Sequence, residues 1–231
     1  MASPAQLHRM RVLAAKASAA DPAAPVVVGG IQGQMLAKLT QDARRLHDIQ
    51  SIERKIALKR ELLPDYQAYI DGVLEGDGGQ PDEIVPTVML WHLDAGNYER
   101  GLDIAAYVLR HDLPLPERLK RNTATILLDE VAGAIAGGAV KEPSTAFGIL
   151  QRVAVLVNGH DSPDQARAKL HFAMGKTLAQ QAGDTPSGPQ LDMAHAAVAQ
   201  LKRAVELFSG IGAKKLIEQL ERKIKKAGDP G

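Results

Sequence analysis

Between Gln34 and Leu63 the apolar residues Leu36, Leu39, Leu46, Ile49, Ile52, Ile56 and Leu63 recur three, four or seven positions apart. That interval returns side chains to one side of an α-helix, here with an almost heptad beat. The pattern predicts one helix of about 45 Å at 1.5 Å per residue, ended by Pro64. Its single apolar stripe needs a cover, either a second copy of itself or the helices that follow. Leu39, Leu46, Ile49, Ile56 and Leu63 are thus the expected oligomerisation residues.

Helical spacing recurs along the rest of the chain. Residues 3 to 18 form a short helix with Leu7, Met10, Leu13 and Ala14 on one side, too short to stand without a partner. Two prolines and three glycines between Asp21 and Gln34 then read as a linker, so the first helix is expected to be a mobile arm. Asp65 is placed to cap a helix through Leu74, and Glu75 to Asp82 is a loop. Later helices are expected over Thr123–Ala136, Thr145–Val157, Ala166–Gln181, Leu191–Phe208 and Ile211–Lys226. Only the valines from Val26 look β-like, so the chain reads as all-α. Three regions follow: a basic arm and linker over 1–33, the long amphipathic basic helix over 34–63, and a helical bundle over 64–231.

The stretch from Glu83 to Leu115 predicts a helical hairpin. Val85, Val88, Met89, Trp91 and Leu93 precede a polar break at Asp94 to Asn97, and Tyr98, Leu102, Ala105, Ala106 and Leu109 follow it. The order Trp, Leu, Gly, Tyr, Ala follows the tetratricopeptide pattern, in which small residues let two antiparallel helices approach closely. The expected fold class is therefore all-α, helical hairpins with tetratricopeptide-like packing plus a long basic amino-terminal helix.

Charge is distributed unevenly behind a net value of +1. Up to residue 60, Arg9, Arg11, Lys16, Lys38, Arg44, Arg45, Arg54, Lys55, Lys59 and Arg60 face only Asp21, Asp42, Asp48 and Glu53. The middle is acidic, and Lys202, Arg203, Lys214, Lys215, Arg222, Lys223, Lys225 and Lys226 make the carboxyl end basic. Such polarity suits a protein that grips a polyanion with its ends. The ten amino-terminal cations are the candidate DNA-binding residues, because neutralising phosphates releases counterions. For the carboxyl-terminal set an ordinary solvated helix face is an equal reading, and no helix-turn-helix with a nameable recognition helix is present.

The chemistry that the sequence lacks narrows the function further. With no cysteine there is no disulfide, thiolate zinc site or cysteine nucleophile. No apolar run approaches a bilayer span, and the start lacks the apolar core of a secretory signal, so a cytoplasmic protein without membrane contact is expected. Gly175-Lys176-Thr177 matches the tail of a phosphate-binding loop, but Leu170 stands where that loop needs glycine. The acids Glu75, Asp77, Asp82, Glu83 and Asp94 with His92 are the candidates for a divalent metal, yet surface acids in a loop are the default reading. His160, Asp161 and Asp164 are explained by helix capping in the same way. No catalytic residue, metal ligand or cofactor is assigned.

Lys59 to Gly76, KRELLPDYQAYIDGVLEG, and Thr87 to Leu109, TVMLWHLDAGNYERGLDIAAYVL, resemble the small terminase subunits of temperate tailed phages, of the GpM type. Weaker echoes follow at Asp129–Ile135, Ala166–Leu178 and Leu201–Ile224. The resemblance implies a protein that selects double-stranded viral DNA in the host cytoplasm and delivers it to the large, ATP-hydrolysing terminase subunit, commonly as a homo-oligomeric ring. It also implies a possible endonuclease role, for which Asp77, Asp82, Glu83 and Asp94 are the candidate acids. A helical scaffold that binds only protein is the remaining alternative.

Overall fold

The computed structural model describes residues 3–20, 30–117 and 119–228, and among them every regular element is helical. The chain divides into two compact units, Met1–Lys120 and Arg121–Gly231. No helix among the described residues is long and apolar enough to cross a membrane. The β-like valines from Val26 and most of the expected linker lie outside the described residues.

In the first unit, α1 (Pro4–Ser18) begins with Ser3 and Gln6 in a capping box that satisfies the orphan N–H groups at its start. It is not a free arm, because it lies along α3 (Ile52–Gly76). Gly72 and Gly76 sit one helical turn apart on α3, and their missing side chains let the α1 backbone come close. A Cβ on Gly72 would collide with the Arg11 carbonyl, and one on Gly76 with the Ala15 carbonyl. Ser18 then anchors the end of α1. Its Oγ donates to the Val73 carbonyl at 3.0 Å, meets the Tyr107 hydroxyl at 3.2 Å and accepts from the Gly78 N–H at 3.3 Å.

The helix expected to run unbroken from Gln34 to Leu63 is two helices. α2 (Ile31–His47) ends at Asp48, and Ser51 caps α3 through the Arg54 N–H. Pro64, the expected stop, lies inside α3, and Asp65 is a mid-helix residue rather than a cap. The chain turns over Asp48–Ser51 because Ser51 supplies the capping oxygen there. Tertiary packing of Leu62, Leu63, Tyr66, Tyr69 and Ile70 carries α3 through the proline.

α2 is held down by charge as well as by Met35, Leu39 and Leu46. The carboxylate of Asp42 is buried, and it accepts from Tyr66 Oη at 2.8 Å, Lys38 Nζ at 2.7 Å and Arg45 Nη1 at 3.1 Å. Burial works to raise its pKa, but the Lys38 and Tyr66 hydrogen bonds outweigh it and hold the carboxyl below the ordinary value. Lys38 also lies 4.9 Å above the Tyr66 ring, which meets Trp91 edge-on at 5.7 Å.

The expected hairpin is present as α4 (Ile84–Asp94) and α5 (Tyr98–Arg110). Buried Asp82 starts it, accepting from the Ile84 and Val85 N–H groups and, at 2.5 Å, from Tyr69 Oη. Gly96, with φ at +79°, makes the turn. Gly101 on α5 faces Leu93, where a Cβ would press on the leucine side chain.

The second unit continues with α6 (Thr123–Ile126), a π-helical turn over Leu127–Val131 and α7 (Ala132–Ala136), together the expected 123–136 segment. α8 (Pro143–Val157), α9 (Asp164–Ala182) and α10 (Pro189–Leu207) follow, then a 3₁₀ turn over Ser209–Ile211 and α11 (Lys214–Gly228). Gly175 lets α9 close on Leu201 and the Ala197 carbonyl of α10. α11 lays Leu220 against Leu178, Val198 and Leu201, with Leu216, Ile217 and Ile224 around them.

Replacing Gly76 with leucine drives a side chain into the α1 backbone, and we expect a loss of about 2 kcal/mol or more with protease cleavage appearing in 3–20. Gly33→Ala, in open space within α2, should instead stabilise by about 0.4–1 kcal/mol, so equal denaturation midpoints for the two variants would contradict the seam. A second expectation concerns pH. Burial, helped by the Arg100 charge, lowers the His92 pKa to about 4 from 6.5. Neutral His92 contributes its stability in full above pH 6.5, and that contribution is lost as pH falls from 6.5 towards 4. Buried Asp82, whose pKa is raised by burial, acts in the opposite sense as pH rises above 3.8. The difference between wild type and His92→Gln isolates the histidine: across that window the wild type should lose roughly 2 kcal/mol more in denaturant titrations, and parallel curves would refute the assignment.

Candidate nucleic-acid interface

Helix packing sorts the ten amino-terminal cations into two groups. Arg11 pairs with Glu75 at 2.9 Å, Lys38 with Asp42 and with Asp65 at 3.1 Å, Arg45 with Asp42, and Lys59 with Asp94. Arg60 donates from Nε and Nη2 to the Ala95 carbonyl at 3.1 and 2.9 Å. Apart from Arg45, whose pair with Asp42 lies within α2, these side chains are partly engaged in holding helices together. Arg9 and Lys16 on α1, Arg44 on α2, and Arg54 and Lys55 at the start of α3 make no ion pair among the described residues, and all but half-buried Lys55 are exposed. Arg54 and Lys55 follow closely on the α2–α3 turn.

The apolar stripe is divided in a similar way. Leu39, Leu46 and Leu63 are buried inside the chain, which supplies the cover they need. Ile49 and Ile56 are half-buried, and Ile52 between them is 75 % exposed. Along the stripe, Leu36 and the short stretch around the α2–α3 turn keep apolar side chains towards solvent.

The acids proposed for a metal are dispersed. Glu75 goes to Arg11, Asp77 to Arg110 and His111 at 2.8 Å each, and Asp94 to Lys59, while Asp82 caps α4. No group of three His, Asp or Glu side chains suited to a metal ion occurs among the described residues. Gly175-Lys176-Thr177 lies inside α9, where Lys176 donates to the Ala136 carbonyl and Thr177 to the Ala173 carbonyl, so it forms no phosphate loop.

In the second unit Asp129 takes Arg121 at 2.5 Å and also Lys169. Burial pushes this carboxyl up, but the Lys169 and Arg121 hydrogen bonds win and hold it below the ordinary range. On α11, Lys223 pairs with Asp184, and Glu221 with Lys202 of α10. Lys214, Lys215, Lys225 and Lys226 remain exposed without an ion pair among the described residues. His160, Asp161 and Arg167 border a groove of about 620 Å³ floored by Leu128, Leu170 and Met174.

Sequence patterning misses a cleft beside the α4–α5 turn, of about 680 Å³. Arg60 and Gln67 reach it from α3, and His92, Asn97 and Arg100 from the hairpin. Asn97 stands at the N-cap of α5 but makes no capping bond. Its Nδ2 instead lies 3.1 Å from His92 Nδ1. The signal lay in the LWHLDAGNY turn, where polar residues interrupt an apolar hairpin, but only folding brings α3 alongside.

Residues 36–165 match the family described as phage small terminase subunit. Over 230 residues, all of this chain and 89% of the relative, the sequence is 40% identical to the protein described as "Terminase, endonuclease subunit" of Escherichia phage P2. No solved structure matches. The family match takes in α2 from Leu36 onward, the hairpin and the turn cleft, and the relative aligns across both units. The chain therefore belongs to the phage small terminase subunit family, and its role lies in packaging phage DNA.

Proposed function

We propose that this chain recognises double-stranded viral DNA and presents it to the large, ATP-hydrolysing terminase subunit in the host cytoplasm, as a homo-oligomeric ring. The end-to-end likeness to a terminase subunit of phage P2 carries this reading. The unpaired cations Arg44, Arg54 and Lys55 support a DNA surface at the α2–α3 turn, with Arg9 and Lys16 of α1 as further phosphate-binding groups. Lys38, Arg11, Arg45 and Lys59 belong to the same set but share their charge with acids, and Arg60 spends two of its donors on the Ala95 carbonyl. Ile49, Ile52 and Ile56 are the apolar residues at that turn left for a neighbouring subunit, while Leu39, Leu46 and Leu63 are buried within the chain. A ring multiplies a weak basic patch into high avidity without any new interaction.

A second reading takes the name of the phage P2 relative at its word and makes the chain a metal-dependent endonuclease. The dispersal of Asp77, Asp82 and Asp94 into separate pairs counts against a preformed two-metal site.

Fluorescence anisotropy with a short duplex tests the first reading. The Arg44→Glu/Arg54→Glu/Lys55→Glu variant should bind at least tenfold more weakly at low salt, with the slope of log affinity against log salt reduced by about one for each phosphate no longer neutralised. No binding by the wild-type chain at low salt would refute DNA recognition. Purified chain with magnesium or manganese should leave duplex DNA uncut. Cutting that Asp77→Ala or Asp94→Ala abolishes, with binding intact, would establish the second reading instead. Light scattering should give a closed oligomer whose mass falls in Ile52→Glu.

A further inference from the structure

The cleft beside the α4–α5 turn differs from two other grooves among the described residues in the charge of its walls. The groove between α2 and α4 carries Asp48 and Glu83, and the second-unit groove carries Asp161. Among the described residues no carboxylate lines the turn cleft. Its polar lining is Arg60, Gln67, His92, Asn97 and Arg100, all able to donate hydrogen bonds, over an apolar floor of Leu63, Pro64 and Ala95.

The neighbouring acids are held by their own partners. Asp71 of α3 takes Arg100, and Asp94 of α4 takes Lys59. Arg60 makes its two bonds from Nε and Nη2 to a neutral carbonyl, which leaves its charge uncompensated and its Nη1 hydrogens available. With Asn97 Nδ2 donating to Nδ1, the neutral His92 ring carries its proton on Nε2. Two guanidinium groups, that of Arg100 shared with Asp71, an imidazole N–H and two amides therefore border one concavity, and donors of this kind recognise a tetrahedral oxyanion.

We propose that this cleft binds a phosphoryl group between Arg60, Arg100 and His92, with Gln67 and Asn97 as supporting donors. Its assignment to the DNA backbone rests on the DNA-recognition reading above. A small phosphate compound presents the same chemistry. Bound phosphate places negative charge against His92, whose present neighbours favour the neutral ring, so occupancy draws a proton onto the imidazole.

The test follows the His92 ring by NMR in the full-length protein, its signal assigned by its loss in His92→Gln. The ring is titrated against pH alone, with sodium pyrophosphate, and with a short duplex, at matched ionic strength. Occupancy should raise the His92 midpoint from about 4 by one pH unit or more. Gln67→Glu and Asn97→Asp keep shape while placing negative charge in the cleft, and Asn97→Asp removes no capping bond. Each should weaken binding of the effective probe about tenfold. A shift with duplex alone assigns the group to the DNA backbone, and a shift with pyrophosphate alone assigns a small phosphate compound; either supports the site. If neither probe moves His92 and both variants bind as wild type does, the site is refuted. Duplex binding by wild type in that case leaves DNA recognition standing elsewhere on the chain. A pyrophosphate response without any duplex binding refutes DNA recognition but keeps the cleft.

Discussion

The first unit depends on how closely two backbones can approach. Gly72 and Gly76 present a smooth strip of α3 to α1, and any larger residue there would collide with carbonyl oxygens that have nowhere to move. Close approach gains dispersion along the whole seam and brings Ser18 within reach of Val73, Gly78 and Tyr107. One hydroxyl thus ties α1 to α3 and to α5. A helix of this length would be marginal alone, and the seam makes it part of the core.

Electrostatics then decides which of many basic residues are available to a ligand. Lys38 and Arg45 converge on the buried Asp42, whose negative charge is tolerable only because Tyr66 and both cations satisfy it. Arg11 and Lys59 are likewise joined to acids, although those pairs are partly exposed and each adds little stability. What remains for phosphate is a shorter list than the sequence suggests. Of these, Arg44, Arg54 and Lys55 lie near the α2–α3 turn, where the residual apolar surface of Ile49, Ile52 and Ile56 also lies. Contact between copies and contact with DNA would share that corner.

The fixing of the hairpin turn also shapes the cleft beside it. Lys59 and Arg60 of α3 reach Asp94 and the Ala95 carbonyl, fixing the turn against α3. The same placement brings Gln67 and Arg60 opposite His92, Asn97 and Arg100. A cleft that no carboxylate lines among the described residues arises there, in a chain region that is acidic overall.

The sequence alone determined the all-α class, the α4–α5 hairpin, the amphipathic last helix and membership of the phage small terminase subunit family. Each of these is written locally, in 3.6-residue periodicity, capping residues and a contiguous motif. It misplaced the helix break, because a proline that would end an isolated helix is carried by the packing of Tyr66, Tyr69 and Ile70, while Ser51 offered a weaker local signal that prevailed. It also read α1 as a mobile arm, since the glycines that receive it lie more than fifty residues away and look like ordinary helix interruptions. Only the tertiary structure decided which cations are paired, which leucines are covered and which side chains border the turn cleft. Those outcomes depend on distances between residues remote in sequence, and no spacing along the chain encodes a distance across it.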